Sequence, residues 1–242
     1  MPLSKSQEIE IGRRIRTFVK DNVAKVDKLR LDDLAFNPYL VEAMGLKTPE
    51  EIVEFFVNQR FQRGVVTSFG SLFEKQIAGY FGESAGISDV DLRFERGSDV
   101  YFVQLKSGPE GFTGPALTKT LATMKNVKKE HPDAKTVIAF SYGTKSKLSK
   151  VWGSQLEAAR KSGDVEIMIG REFWNFVLQA PNGYEVLFKI FEEAGVVDEP
   201  SLFGERRTLE NARKDAYGRV LKEFKAKYGS ADVVRKLKED NL

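Results

Sequence analysis

An α/β fold with a mixed β-sheet flanked by helices is predicted for this chain of 242 residues. Two runs of alternating apolar and polar residues, 90–95 and 100–106, flank the turn-rich segment 96–99, and this pattern predicts a β-hairpin. Two further short apolar runs, 136–140 and 165–169, are separated by a segment with helical spacing. Strands that alternate with helices indicate crossover connections in a sheet covered by helices.

Helices are predicted before the hairpin from the spacing of apolar residues and from capping signals. Thr48-Pro49-Glu50-Glu51 begins one of them, with Thr48 as N-cap and Glu51 at the capping-box position, and it is expected to run to about Arg63. The predicted helices of this part cover residues 9–24, 39–44, 48–63 and 72–81. Glu74 borders the apolar face of the last one.

Helices are also predicted after the hairpin, where Thr144-Lys145-Ser146-Lys147 is interpreted as a loop. The predicted segments cover residues 115–130, 151–161, 172–178 and 184–194, together with a charged tail from 207 to 242 that is broken near Gly229-Ser230. The apolar stripe of the tail would allow it to pack on the core, to pair two subunits or to contact DNA.

The composition excludes several kinds of chemistry. The chain has no cysteine, so thiol nucleophiles, disulfides and cysteine-bound zinc are excluded, and its only histidine is His131, so mechanisms that need several histidines in one chain are not expected. No apolar run approaches the roughly 20 residues needed to span a bilayer. Residues 1–20 are too charged for a secretory signal, and a cytoplasmic protein without membrane association is expected.

Charge is unevenly distributed around the hairpin, although the formal net charge is only +3. Residues 31–112 and 151–200 are net acidic, whereas residues 1–30, 113–150 and 201–242 are net basic. Acidic residues near a metal with basic residues on either side suit a polyanionic substrate. The alternative is that each charged cluster is an ordinary solvated helix face.

The hairpin is expected to gather three polar side chains at one end. Gln104 and Lys106 are two residues apart and therefore share a face of their strand. Asp91, near the start of the preceding strand, comes alongside them because the hairpin is antiparallel. An acid, an amide and a lysine at one sheet edge form the layout of a metal-dependent nuclease site.

With these residues in place, the chain resembles a type II restriction endonuclease of the PD-(D/E)xK nuclease superfamily over roughly residues 37 to 190. The matching residues are Asp91 with Gln104-Leu105-Lys106-Ser107-Gly108-Pro109, upstream Asn37-Pro38 and Thr67-Ser68-Phe69-Gly70 with Glu74, and downstream Tyr142-Gly143 and Gly170-Arg171-Glu172-Phe173-Trp174. The resemblance implies a restriction-endonuclease-like core of mixed sheet and helices, and phosphodiester hydrolysis with Mg²⁺.

The resemblance also implies roles for individual residues. Asp91 would be the anchoring Mg²⁺ ligand, the Leu105 carbonyl would complete the metal shell, and Lys106 would contact the attacking water or the scissile phosphate. Gln104 departs from the commonest pattern, which has a carboxylate at this position. Its amide oxygen can bind Mg²⁺ without supplying charge, and Glu74 is the expected source of the missing charge. Asp89, two residues from Asp91, is the alternative anchoring acid.

The function that follows is cleavage of double-stranded DNA at a short, palindromic sequence by a homodimer, with a companion DNA methyltransferase in the same system. Four lysines, Lys119, Lys125, Lys145 and Lys147, are predicted to bind DNA, chiefly its phosphates. Two alternatives stay open. The protein would be a repair or junction-resolving nuclease that reads DNA shape, or a DNA-binding protein whose site has lost catalysis, with Gln104 as the mark of that loss.

Three segments are expected in the chain. Residues 1–66 form a helical N-terminal region for DNA contact or dimerisation. Residues 67–200 form the nuclease core, and residues 201–242 form the charged helical C-terminal tail.

Overall fold

A computed structural model of the protein describes residues 3–194, 197–200 and 206–241. Its helices are α1 (Lys5–Asp27), α2 (Pro38–Ala43), α3 (Pro49–Ser71), α4 (Gly79–Phe81), α5 (Gly114–Glu130), α6 (Lys145–Lys161), α7 (Arg171–Leu178), α8 (Gly183–Ala194), α9 (Leu209–Tyr228) and α10 (Val233–Asn241). Its strands are β1 (Glu83–Ile87), β2 (Val90–Arg96), β3 (Asp99–Lys106), β4 (Lys135–Phe140), β5 (Glu166–Ile169), β6 (Val197–Pro200) and β7 (Arg206–Arg207).

The main sheet has five strands in the order β1-β2-β3-β4-β5. The first three strands are antiparallel neighbours, whereas β3, β4 and β5 run parallel and are connected through α5 and α6. The predicted mixed sheet with flanking helices and the predicted hairpin are therefore confirmed. Strand β1 was not predicted, because its short sequence is rich in small and polar residues and its side chains are mostly exposed.

The parallel part of the sheet is the most deeply buried. Residues 137–140 of β4 are fully buried, as expected for a central strand covered on both faces. Leu117 and Met124 of α5 and Leu156 of α6 belong to the same buried cluster as Ile138 and Phe140. Apolar burial of this kind is the main force that holds the sheet and its helices together.

The predicted end of a helix near Arg63 is wrong. Helix α3 continues to Ser71, a π-helical segment covers Leu72–Ala78, and α4 follows directly. The hydroxyl of Thr67 donates to the Arg63 carbonyl and that of Ser68 to the Gly64 carbonyl, both at 2.8 Å. These bonds satisfy the two hydroxyl groups within the helix, so the helix can continue through them.

Thr144-Lys145-Ser146-Lys147 is not a loop, and this prediction is corrected. Thr144 is the N-cap of α6, and its hydroxyl oxygen accepts the Lys147 backbone N–H at 3.3 Å. A threonine cap supplies one of the acceptors that the first turn of a helix needs. Lys145 and Lys147 therefore lie in the first turn of α6.

Two compact units, each built from separated parts of the sequence, make up the described chain. The first contains the described parts of residues 1–15 and 69–194, including the five-stranded sheet. The second contains the described parts of residues 16–68 and 195–242. The predicted three-segment division is not tested by this grouping and stays a prediction. Residues 201–205, where the predicted tail begins, lie outside the described residues.

The C-terminal tail packs within the second unit. Arg219 of α9 donates to the carbonyls of Val26 and Leu29 at 3.2 Å, near the end of α1. The Glu223 carboxylate accepts the Leu31 backbone N–H at 2.8 Å. The predicted break in the tail is confirmed by the separation of α9 and α10. Within residues 3–194, 197–200 and 206–241, no helix combines the length and apolar character needed to cross a membrane.

Candidate active site

The site lies where β2 and β3 separate. Their paired residues extend from Arg96 opposite Asp99 to Leu92 opposite Val103, and Asp91 lies just beyond the last pair. Its side chain takes the place of a backbone partner, because its Oδ2 accepts the Leu105 N–H at 2.8 Å. The carboxylate is thereby fixed at the open end of the hairpin.

Gln104 is almost completely buried beside Asp91. Its side-chain Nε2 donates to Asp91 Oδ2. Its Oε1 is buried and has no hydrogen-bond partner among the described residues. An unpaired buried acceptor is costly, and native proteins satisfy most such atoms with protein groups, water or ions. The predicted pair of Asp91 and Gln104 thus comes together with one amide oxygen left unpaired.

The environment of Asp91 raises the pKa of its carboxyl. Burial raises the pKa of the Asp91 carboxyl, and this effect outweighs the opposing influences of the Leu105 N–H, the Lys106 charge and the Gln104 amide. A nearby cation would stabilise the buried carboxylate, because it compensates for the solvation that burial removes. Asp91 therefore has the electrostatic character of a cation ligand.

Glu74 lies in the π-helical segment, near enough to Asp91 for the two charges to interact. Burial is the larger cause that raises the pKa of the half-buried Glu74 carboxyl, and the charge of Asp91 raises it further. The two carboxylates therefore repel each other within the first unit. A metal ion would relieve this repulsion, because it offers positive charge to both acids.

The π-helical geometry itself was not predicted. The segment buries Leu72, Phe73 and Ile77, and the Gly79 N–H bonds back to the Glu74 carbonyl. A Cβ atom at position 79 would lie 3.2 Å from that carbonyl oxygen, so a glycine suits the tight backbone approach. π-Helical turns are rare and often occur at functional sites, because they displace side chains from their α-helical directions.

Lys106 ends β3 at the same edge. Its charge lowers the pKa of both Asp91 and Glu74, so its ammonium group acts on the two acids. The Nζ atom lies 5.2 Å from the centre of the Phe112 ring. The Lys106 carbonyl accepts the Ser141 N–H at 2.9 Å, which anchors the end of β3 beyond the last residue of β4. At this end β3 no longer pairs with β2, but its hydrogen bonds to β4 hold Gln104 and Lys106 in place.

Asp89, the alternative anchoring acid, is engaged elsewhere. Its carboxylate forms an ion pair with Lys119 at 2.9 Å and accepts the Ser88 hydroxyl at 3.2 Å. The Lys119 hydrogen bond is the main cause of its lowered pKa. The charge of Lys106 also lowers the pKa of Asp89, but the hydrogen bonds from Gln104 and Leu105 of β3 go to Asp91. The geometry therefore favours Asp91 as the anchor.

The four predicted DNA-binding lysines are all on the surface. Lys119 pairs with Asp89, Lys125 lies 4.0 Å from Asp164, and Lys145 lies 3.4 Å from Glu172. Lys147 is exposed in the first turn of α6. Exposed ion pairs are weak, so these contacts leave the lysines available to an anionic ligand.

Lys75 is a neighbour of the site that the sequence analysis missed. It is exposed, and its charge lowers the pKa of both Glu74 and Asp91. Consecutive residues of an α-helix point in different directions, so the adjacency of Glu74 and Lys75 gave no reason to place both near Asp91.

The oxygen donors are compatible with a hard metal ion. No group of three or more acidic, histidine or cysteine residues that could hold a metal occurs within the part of the chain that the structure describes. The site instead offers two carboxylates, Asp91 and Glu74, and the unpaired Gln104 Oε1. Mg²⁺ accepts such a set, since it binds one or two carboxylates and keeps several waters.

A comparison with protein families identifies the fold and the chemistry. The model of the family described as type II restriction endonuclease EcoO109I matches residues 6–196. The chain belongs to this family. As a member of this family, the protein is an enzyme that hydrolyses DNA. The expected family, fold class and enzyme class are therefore confirmed. A search of curated proteins gave no match.

Proposed function

We propose that this type II restriction endonuclease cuts both strands of double-stranded DNA at a short specific sequence with Mg²⁺ as its cofactor. The observation that supports the metal most directly is the buried Gln104 Oε1, which has no partner among the described residues. It belongs to the amide that is bonded to Asp91. A cation at this point would satisfy the amide oxygen and compensate the Asp91 carboxylate together.

Asp91, Gln104 and Leu105 are the proposed Mg²⁺ ligands. The N–H and C=O of one strand residue point to the same side, so the Leu105 carbonyl is directed to the side on which its N–H meets Asp91. Glu74 would supply the second negative charge, directly or through a water. Bound at these residues, Mg²⁺ would polarise a phosphodiester oxygen and lower the pKa of a coordinated water.

Lys106 is proposed to stabilise the phosphate during hydrolysis. Its charge already acts on Asp91 and Glu74, so a phosphate next to those acids would lie within its influence. A fixed ammonium group offsets the negative charge that increases on the phosphate oxygens in the transition state. The hydrogen bond from the Ser141 N–H to its carbonyl fixes the backbone from which the lysine side chain extends.

The remaining parts of the proposal concern partners. Cleavage of two strands at a palindromic sequence favours a two-fold symmetric homodimer with one site per strand. Lys119, Lys125, Lys145 and Lys147 would contact phosphates around the site. We place the enzyme in the cytoplasm, where a companion methyltransferase would protect the host DNA.

The first test is digestion of a mixed-sequence phage DNA by the purified protein with Mg²⁺ or with EDTA. Discrete fragments that require Mg²⁺ are expected, and Asp91→Asn should abolish them. Asp99→Asn is the matched control, because Asp99 lies at the turn end of the same hairpin and pairs with Lys135. It should leave the fragment pattern unchanged.

Other outcomes would change the conclusion. A smear, or cutting confined to branched DNA, would replace sequence-specific cleavage by the structure-specific alternative. Tight binding without cleavage at any Mg²⁺ concentration would indicate a DNA-binding protein whose site has lost catalysis, with Gln104 as the mark of that loss. Full activity of Asp91→Asn would contradict the proposed metal site.

A further inference from the structure

The second compact unit contains a groove whose cations are unpaired. Two adjoining cavities of about 330 and 600 Å³ share Lys25, Asp33, Arg60 and Gly64 as lining residues. They lie beside the C-terminal part of α1, the 3-10 turn Leu31–Asp33 and the middle of α3. We name this feature the cationic groove, after its lining residues Lys25, Lys28, Arg60 and Arg63.

The charge of the cationic groove is not compensated internally. All four of its cations are exposed, and none of them forms an ion pair within the described ranges 3–194, 197–200 and 206–241. Asp33 is the one acid that lines the two cavities, and its carboxylate accepts the Arg30 backbone N–H at 2.9 Å. Four neighbouring cations thus share a single acid that already has a local hydrogen bond.

Several other cations of the same unit are paired. Lys238 lies 2.7 Å from Glu42, Lys225 pairs with Glu50, and Arg213 lies 2.6 Å from Glu210. Like charges that are close together repel each other unless a counter-charge is present. The cationic groove differs from the rest of the unit because four unpaired cations line two adjoining cavities, which suits it to an external anion.

The shape of the groove favours an extended anion. Arg60, Arg63 and Thr67 are spaced by three and four residues, so they lie on one face of α3. A Cβ atom at Gly64, between them, would meet nothing within 4 Å, so the space above the helix is open there. Residues 59–67 extend over roughly 12 Å of helix, which corresponds to about three phosphates along one DNA strand.

We propose that the cationic groove binds the sugar-phosphate backbone of duplex DNA. The proposal rests on the duplex substrate of the proposed function, and it adds a contact on the unit that does not carry Asp91 or Lys106. Arg60 and Arg63 contact successive phosphates, and Lys25 and Lys28 contribute from the other side of the groove. The contact is independent of sequence, because phosphates carry no direct base information.

The test is the salt dependence of duplex binding by the full chain without Mg²⁺, so that no DNA is cut. The dissociation constant for a duplex of arbitrary sequence is measured from 50 to 200 mM salt, conditions over which phosphate contacts strongly affect affinity. For Arg60→Gln/Arg63→Gln we expect the slope of log affinity against log salt to become shallower by up to about 2, since each phosphate contact contributes roughly 0.9. Arg60→Lys/Arg63→Lys should retain most of the slope.

Arg16→Gln/Lys222→Gln is the matched control. Both residues are exposed cations of the second unit, lie outside the two cavities and form no ion pair with a described residue. The control removes the same charge, so it should leave the slope nearly unchanged if the contact is local. Thermal melting of every variant verifies that it is folded. If the double variant is unfolded, the single variant Arg63→Gln replaces it in the salt-dependence measurement.

An unchanged slope in the folded groove variants would overturn the proposal, as would an equal loss in the control. These results are separable from failure of the proposed function. Discrete Mg²⁺-dependent fragments with an unchanged slope would refute the groove alone. Absence of specific cleavage with a shallower slope in the groove variant alone would refute the proposed function and retain the groove.

Discussion

Two aspartates of one hairpin have opposite environments. At the turn end, Asp99 pairs with Lys135 at 2.6 Å, and this hydrogen bond lowers the pKa of Asp99. At the open end, burial raises the pKa of Asp91, although Asp91 accepts hydrogen bonds from Gln104 and Leu105. Asp99 has a cation of its own, whereas Asp91 lies close to a second acid, Glu74.

The difference separates a structural acid from a candidate functional one. Asp99 is satisfied by the protein, so it contributes to the folded state without any ligand. Asp91, Glu74 and the unpaired Gln104 Oε1 are arranged at a cost to stability that a metal ion would relieve. Perturbed carboxylates gathered in this way are typical of active sites, where charge is arranged for chemistry rather than for folding.

The largest expected effect comes from Lys106, at the end of β3. Lys106→Met should lower cleavage by roughly 10²–10³-fold, as expected for loss of a group that stabilises transition-state charge, while duplex binding changes little. Lys135→Met is the control, because Lys135 pairs with Asp99 at the turn end. Single-turnover cleavage and binding are measured for both variants. Loss of binding in Lys106→Met would indicate a docking role instead.

A smaller effect is expected when the negative charge of Glu74, which offsets the neutral Gln104, is removed. Glu74→Gln removes a negative charge beside Asp91, so the Mg²⁺ concentration for half-maximal cleavage should rise, by about tenfold if one close charge contact is lost. Adding Gln104→Glu in the same chain should restore much of the original requirement. A Mg²⁺ titration of wild type, single and double variants measures both effects. An unaltered requirement in Glu74→Gln would contradict the idea that Glu74 compensates for Gln104.

The smallest effects concern stability in EDTA. A carboxyl with a raised folded-state pKa destabilises the fold as pH rises from its unfolded pKa through its folded pKa, so Asp91→Asn should raise the melting temperature at pH 7. A carboxyl with a lowered folded-state pKa stabilises the fold above its unfolded pKa and loses this contribution as pH falls, so Asp99→Asn should slightly lower the melting temperature at pH 7.

Melting curves at pH 7 and pH 3 measure these signs. The effect of Asp99→Asn should diminish at pH 3, because the carboxyl becomes progressively protonated there. The advantage of Asp91→Asn over wild type should also diminish at pH 3, since wild-type Asp91 is then largely neutral. The same sign for both variants at pH 7 would remove the contrast between the two ends of the hairpin.

The sequence by itself determined the hairpin and the partners at its open end. Strand residues alternate between faces with a period of two, and a short turn fixes the register of an antiparallel pair. Asp91, Gln104 and Lys106 could therefore be brought to one edge from local patterns alone. The strands at residues 135–140 and 166–169 were predicted from short apolar runs, which are typical of strands buried on both faces.

The tertiary structure decided the features that depend on distant or irregular backbone. Local signals suggested a break after Arg63 and a loop at 144–147, yet hydrogen bonds within α3 and the Thr144 cap made both segments helical. The π-helical turn that contains Glu74 has no periodic signature. The unpaired Gln104 oxygen could not be predicted from a local pattern either. Its burial and hydrogen bonding depend on which distant segments of the chain pack together.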